Sequence, residues 1–181
     1  SYSLSGKTLG LVGLGNIGTL VGLRAEAFGM KILFSDPGVS DGFVESWHKT
    51  TFEELLEESD YISFHVHLST DTKGMLNSEG FARMKMQPFV INVSRAELID
   101  WEALKSALSS HAIKGAALDA HYLEPTLPND PLLTHPGILA SPHVAGSTVD
   151  SYRDTVAACI GNIKLAVRGQ LTQGLLTPRK D

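Results

Sequence analysis

Leu9-Gly10-Leu11-Val12-Gly13-Leu14-Gly15-Asn16-Ile17-Gly18 is the stretch that decides the fold. A short run of strand type leads without a break into three glycines spaced G-x-G-x-x-G, and Ile17, Leu20, Val21, Ala25 and Phe28 then recur at helical spacing. Strand, glycine turn and helix in that order make the phosphate cradle of a dinucleotide-binding crossover. Gly13 allows the tight turn, Gly15 lets backbone approach a pyrophosphate, and Gly18 lets the helix close on the strand. Asn16 and Ile17 belong to the same cradle, where the unpaired N–H groups and positive dipole end of a starting helix attract an anion.

The next strand, predicted over Lys31–Ser35, ends at Asp36, eighteen residues beyond Gly18. A carboxylate there accepts hydrogen bonds from the adenosine ribose and repels a 2′-phosphate, so the expected cofactor is NAD rather than NADP. Other strands are predicted over Thr8–Val12, Tyr61–Val66, Phe89–Val93, Gly115–Leu118 and Ile138–Ala140. Several are apolar at consecutive positions, which suits parallel strands buried on both faces. Helices are expected over Thr51–Glu58, Ser78–Met84, Trp101–Ser109 and Thr148–Val167. This alternation predicts an α/β doubly wound parallel sheet of the Rossmann NAD-binding type, a single domain over residues 1–181. One region breaks the rhythm: five of the eight prolines fall between Pro125 and Pro142, which predicts a long, stiff, irregular loop.

Composition narrows the function. The chain has 181 residues, 43% of them hydrophobic and 19% charged, with 15 Lys+Arg against 20 Asp+Glu. The net charge of −5 argues against binding the nucleic-acid backbone, which needs clustered cations. No apolar run reaches the length of a membrane span, and no basic-then-apolar leader opens the sequence. One cysteine, Cys159, rules out an internal disulfide and a cysteine-rich metal site. The expected location is the cytoplasm.

The chemistry-bearing residues lie in the second half, at the carboxyl ends of predicted strands, where open α/β sheets bind ligands. They are Asn92-Val93-Ser94-Arg95, Leu118-Asp119, Glu124-Pro125 and Ser141-Pro142-His143-Val144-Ala145-Gly146. With Gly6-Lys7-Thr8-Leu9-Gly10, Phe28-Gly29-Met30-Lys31, Ser35-Asp36-Pro37, Asp60-Tyr61-Ile62-Ser63-Phe64-His65-Val66 and Gly115-Ala116-Ala117-Leu118-Asp119, the chain resembles the NAD-dependent D-2-hydroxyacid dehydrogenases. That family includes D-3-phosphoglycerate and D-lactate dehydrogenases and hydroxypyruvate/glyoxylate reductases, and the resemblance runs from about Leu4 to Leu176.

The resemblance implies a catalytic set of Arg95, Glu124 and His143. Arg95 offers a forked, permanent cation to a 2-oxo acid. His143 titrates in the right range to protonate the alkoxide that hydride transfer leaves, and Glu124 fixes its tautomer. It also implies that Asp119 meets the nicotinamide carboxamide or its ribose, and that Val66, Val93, Ser94 and Ala145 line the cofactor groove. The partner set it implies is a small 2-oxo or 2-hydroxy acid substrate, a substrate lobe absent from this chain, and a second copy in a homodimer.

Four positions depart from the family pattern: His67 replaces a proline, Ala96 a glycine, and Ala120-His121 a Val-Phe-like pair. These bear on the substrate and leave the reaction type alone. His65 and His67 could project from one strand face as a metal pair, but no third ligand is suggested and no metal is expected. The expectation is the cofactor lobe of an oxidoreductase, inactive by itself. The alternative is an NAD-sensing interaction module, similar to the family's transcriptional corepressor branch.

Overall fold

A computed structural model describes residues 3–127, 129–131 and 133–170. Pro128, within the proline-rich loop, and Leu176, the expected end of the resemblance, lie outside the described residues. The chain divides into two compact units, residues 1–143 and 144–181.

The first unit holds the sheet. Its strands are β1 (Thr8–Val12), β2 (Lys31–Ser35), β3 (His48–Lys49), β4 (Tyr61–Phe64), β5 (Phe89–Asn92), β6 (Gly115–Leu118) and β7 (Ile138–Ala140). They lie in the order β3-β2-β1-β4-β5-β6-β7, and every pairing is parallel. The order reverses direction between β1 and β4, the switch point at which a doubly wound sheet opens a crevice above its carboxyl ends.

Helices α1 (Asn16–Ala27), α2 (Phe52–Glu58), α3 (Ser78–Arg83) and α4 (Trp101–Ser109) make the crossovers. One core gathers Val12, Ile62, Phe64, Val90 and Leu118 from the sheet against Leu55, Leu56, Phe81, Leu104 and Leu108 from α2, α3 and α4. A second gathers Leu9, Leu11, Ile32 and Phe34 with Ala25, Met30 and Trp47. The helix starts follow from local chemistry: Thr51 and Glu54 form a capping box on α2, Asn77 caps α3 and Asp100 caps α4. Each such cap contributes about 1 kcal/mol. In the second unit, α5 (Val149–Val167) begins at a Thr148–Ser151 capping box.

Several boundaries differ from the sequence reading. β4 stops at Phe64 and β5 at Asn92, short of Val66 and Val93, because the chain turns aside once the Phe64–Asn92 register pair is made. Thr51 and Thr148 are caps rather than helical residues, and Met84 follows the last turn of α3. Strand β3 is an addition that two exposed residues could not announce. Helix α1 turns an unexpected face inward. Ile17, Leu20 and Phe28 are exposed, and Gly18, Gly22 and Ala25 are buried. A Cβ on Gly22 would stand 2.3 Å from the Trp47 ring, so the helix can approach only through its small residues.

The amino ends of the central strands are clamped. Asp60 is 8% exposed; its carboxylate accepts the Thr8 amide at 3.0 Å and the Lys7 ammonium at 3.1 Å. Its own amide bonds the Thr8 carbonyl, and its carbonyl accepts from Phe89. Burial pushes this carboxyl up, but the Thr8 amide and Lys7 outweigh it and hold the group below its ordinary value.

Candidate functional site

Gly13 sits at φ +93°, a region that L side chains avoid, and a Cβ there would meet the Val66 amide nitrogen at 2.9 Å. Gly18 backs onto the same turn, where a Cβ would come within 2.3 Å of the Gly13 carbonyl. Gly15 differs from both: nothing lies within 4 Å of its Cβ position, and it caps α1 with no side-chain bond. The amides of Asn16 and Ile17 therefore begin a helix with no capping side chain and no acidic residue in its first turn. An uncapped helix start beneath an open glycine is what an anionic pyrophosphate requires.

Asp36 closes the cradle from the end of β2. Its Oδ2 accepts the Leu14 amide at 2.8 Å and its Oδ1 the Gly38 amide at 2.7 Å. Each carboxylate oxygen has a second lone pair, so the group can still accept ribose hydroxyls.

Ile17, Val66, Val93, Ser94 and Arg95 surround one cavity of about 350 Å³ above the ends of β4 and β5. His65, His67 and Leu68 complete its wall, and the sequence reading had given none of them a part in the cofactor site. The turn that delivers Arg95 is built by buried Asn92, whose Nδ2 donates to the Arg95 carbonyl and whose Oδ1 accepts the Ser94 amide. Ser94 Oγ donates to the Phe64 carbonyl, fixing the turn to β4. The Arg95 guanidinium donates to the Ser94 carbonyl at 2.7 Å.

His65 and His67 both line that cavity. Both histidines lie beyond the end of β4, and His65 points its Nε2 to Ser63 Oγ at 2.9 Å. Its Nδ1 is buried without a partner, and burial pushes the imidazole down to about 4. No cluster of three or more His, Cys, Asp or Glu side chains suited to a metal ion occurs among the described residues.

Glu124 and His143 meet, as the resemblance implied. His143 Nδ1 lies 2.9 Å from Glu124 Oε1 and 3.0 Å from Oε2. The Glu124 carboxyl is held below the usual carboxylate range first by the His121 backbone amide, 3.0 Å from Oε1, and then by His143. Both side chains are about two-fifths exposed, at 42% for His143 and 41% for Glu124. Solvent screens such a pair, so its value is orientation more than stability. They line a small cavity of about 140 Å³ with His121, Pro125, Thr126 and Pro142. Arg95 lines the larger cavity and is not part of this one. Asp119 is buried at the end of β6, where its Oδ1 accepts from Ser141 Oγ at 2.6 Å. It borders a third cavity with Val93 and Ser141. Ala145 lies in the second unit, in an exposed turn before α5.

A 3-2-1-4-5-6-7 parallel sheet with a glycine cradle at its switch point and a carboxylate closing it defines a dinucleotide-binding domain. Residues 1–145 match the family model "D-isomer specific 2-hydroxyacid dehydrogenase, NAD binding domain", and the chain belongs to that family. It is similar to a glyoxylate reductase of Korarchaeum cryptofilum, 36% identical over 97% of this chain and 53% of the relative. It is also similar to C-terminal-binding protein 1 of Caenorhabditis elegans, 37% identical over 97% of this chain and 25% of the relative. Among solved structures, D-lactate dehydrogenase with NAD+ from Lactobacillus jensenii superposes with a TM-score of 0.90 at 28% identity, covering 98% of this chain and 57% of that one. The chain thus spans about half the length of the glyoxylate reductase and less of the C-terminal-binding protein. Its cofactor is NAD, and the open Gly15, the uncapped α1 and the Asp36 carboxylate fit that group. Among the described residues, no helix is long and apolar enough to cross a membrane.

Proposed function

We propose that this chain is the cofactor lobe of an oxidoreductase that interconverts a small D-2-hydroxy acid and its 2-oxo acid. Bound NAD(H) supplies or takes up the hydride at C2. The glycine cradle and α1 hold the pyrophosphate and Asp36 the adenosine ribose, while Val66, Val93, Ser94 and Asp119 flank the nicotinamide half. His143 carries the proton. With Nδ1 turned to Glu124, its Nε2 gives a proton to the C2 oxygen during reduction and takes it back during oxidation. Glu124 accepts from Nδ1, keeping the ring in one orientation. Arg95 leaves the Ser94 carbonyl to grip the substrate carboxylate and polarise the ketone, since a bidentate carboxylate is a better partner than one neutral oxygen.

The single observation carrying this reading is the His143 Nδ1 contact with both Glu124 oxygens, at 2.9 and 3.0 Å. A substrate lobe outside these residues completes the carboxylate cradle and excludes water, and the active form is a cytoplasmic homodimer. The test is loss of NADH absorbance by the complete protein with glyoxylate, hydroxypyruvate, pyruvate and phosphohydroxypyruvate in turn. Turnover of at least one is expected.

A second reading has one observation in its favour, the 37% identity to C-terminal-binding protein 1. On that reading the chain is an NAD-sensing interaction module. NADH binding without turnover of any of the four acids would select it.

A further inference from the structure

His121 stands where the family pattern leads one to expect a Phe-like ring, which has no hydrogen to donate. Here its Nε2 lies 2.8 Å from the Ser141 carbonyl oxygen. A carbonyl only accepts, so Nε2 carries the hydrogen. The same carbonyl accepts the His143 amide at 2.9 Å. The His121 backbone amide, meanwhile, donates to Glu124 Oε1 at 3.0 Å. One residue therefore touches both halves of the Glu124–His143 pair, with its amide on the carboxylate and its ring on the peptide that anchors the imidazole.

That peptide needs an anchor. His143 adopts φ +54°, a left-handed conformation that a non-glycine residue keeps only when its surroundings enforce it. Ser141 is the fixed point: its amide bonds the Leu118 carbonyl at 3.0 Å and its hydroxyl bonds Asp119, both at the end of β6. The His121 ring supplies the remaining bond to Ser141, on the carbonyl that also accepts the His143 amide.

We infer that His121 is a positioning residue, whose ring holds the Ser141 carbonyl and through it the left-handed turn that aims His143 Nδ1 at Glu124. The inference rests on reading Glu124 and His143 as the acid–base pair. Its consequence is a ring fixed in the Nδ1–H tautomer, with Nε2 always the nitrogen presented to substrate. A loop clip with no bearing on the pair would stabilise the fold and nothing more.

The experiment is 15N NMR of the imidazoles in the complete, histidine-labelled protein, read beside kcat. Wild type is expected to show His143 as the Nδ1–H tautomer with a protected proton. His121→Phe, which keeps the ring and removes the donor, should give a mixture of tautomers and lower kcat about tenfold, the scale of one lost hydrogen bond, with KM for NADH unchanged. His121→Gln, whose amide can donate to the same carbonyl, should restore the single tautomer and most of kcat. Where the Phe variant does not fold, His121→Met makes the same comparison. Retention of tautomer and kcat in the Phe or Met variant, with only a lower Tm, overturns the inference. Failure of Gln to rescue also overturns it. A wild-type His143 without the Nδ1–H tautomer shows instead that the Glu124–His143 reading is wrong, before any variant is made.

Discussion

Asp36 and Leu14 are joined across the first crossover, the carboxylate Oδ2 accepting the Leu14 amide at 2.8 Å over a separation of 22 residues. The residue read as the ribose acceptor therefore also fixes the turn proposed to receive the phosphates. Asp36→Ala should weaken NADH binding and narrow its advantage over NADPH, and should also lower stability by about 1 to 2 kcal/mol. Asp36→Asn separates the two effects, because it keeps an acceptor for one amide and removes the charge. Parallel fluorescence titrations and thermal melts check this; an Asn variant that still discriminates fully against NADPH would show that the charge does not set the preference.

The glycines of the cradle should divide by mechanism. Gly15→Ala meets nothing within 4 Å, so the fold should melt at nearly the wild-type temperature while NADH affinity falls at least tenfold. Gly18→Ala drives a methyl to 2.3 Å from the Gly13 carbonyl and should cost stability first. Equal NADH affinity in Gly15→Ala and wild type would contradict the pyrophosphate assignment.

His65 should give the fold a slope with pH. Its folded imidazole is pushed down to about 4, against an ordinary value of 6.5. Between those values the unfolded chain holds a proton that the folded one refuses, so stability falls as pH drops from about 6.5 to about 4. The loss is on the order of 2–3 kcal/mol at the acid end. Urea melts at pH 7 and pH 4.5 measure it, and His65→Leu should flatten the difference. A slope unchanged in that variant assigns the effect to other groups.

The Glu124 carboxyl should titrate below the ordinary carboxylate value, because the His121 amide and His143 both favour its charge. The pair then persists at neutral pH and is lost as pH falls through that depressed value. Carboxyl 13C shifts report the midpoint directly, and one at or above about 4.3 would contradict the geometry.

His143→Ala in the complete protein should lower turnover about 10²–10⁴-fold, the usual worth of positioned proton transfer, while leaving NADH affinity near wild type. Glu124→Gln should retain more activity than that. Comparable loss of NADH binding in His143→Ala would make the histidine part of the cofactor seat instead.

Much of this was legible in the chain itself. The glycine spacing, the consecutive apolar runs and Asp36 announced the parallel sheet and the cofactor, because each follows from local residue chemistry. The inward face of α1 was not legible. A stripe of large apolar residues reads as a buried face, whereas here Trp47 demands small partners and leaves Ile17 and Phe28 outside. The meeting of Glu124 with His143 followed from resemblance, since the two lie nineteen positions apart in sequence with β7 between them. The bond of the His121 ring depends on where the Ser141 carbonyl points, which no residue pattern encodes.

The Asp60 clamp ties β1, β4 and β5 at their amino ends, and the glycine cradle, Arg95 and the Glu124–His143 pair all sit at the opposite rim. The bonds that hold the strands together at one end of the sheet are thus separate from the loops that carry the site residues at the other. Loops at the carboxyl rim can exchange residues, as His121 illustrates, without disturbing the lattice of amides and charge that keeps the strands in register. A scaffold arranged this way tolerates drift in what it recognises much better than drift in how it folds, and substitutions at Asp60 or Lys7 should register in melting curves long before they register in ligand choice.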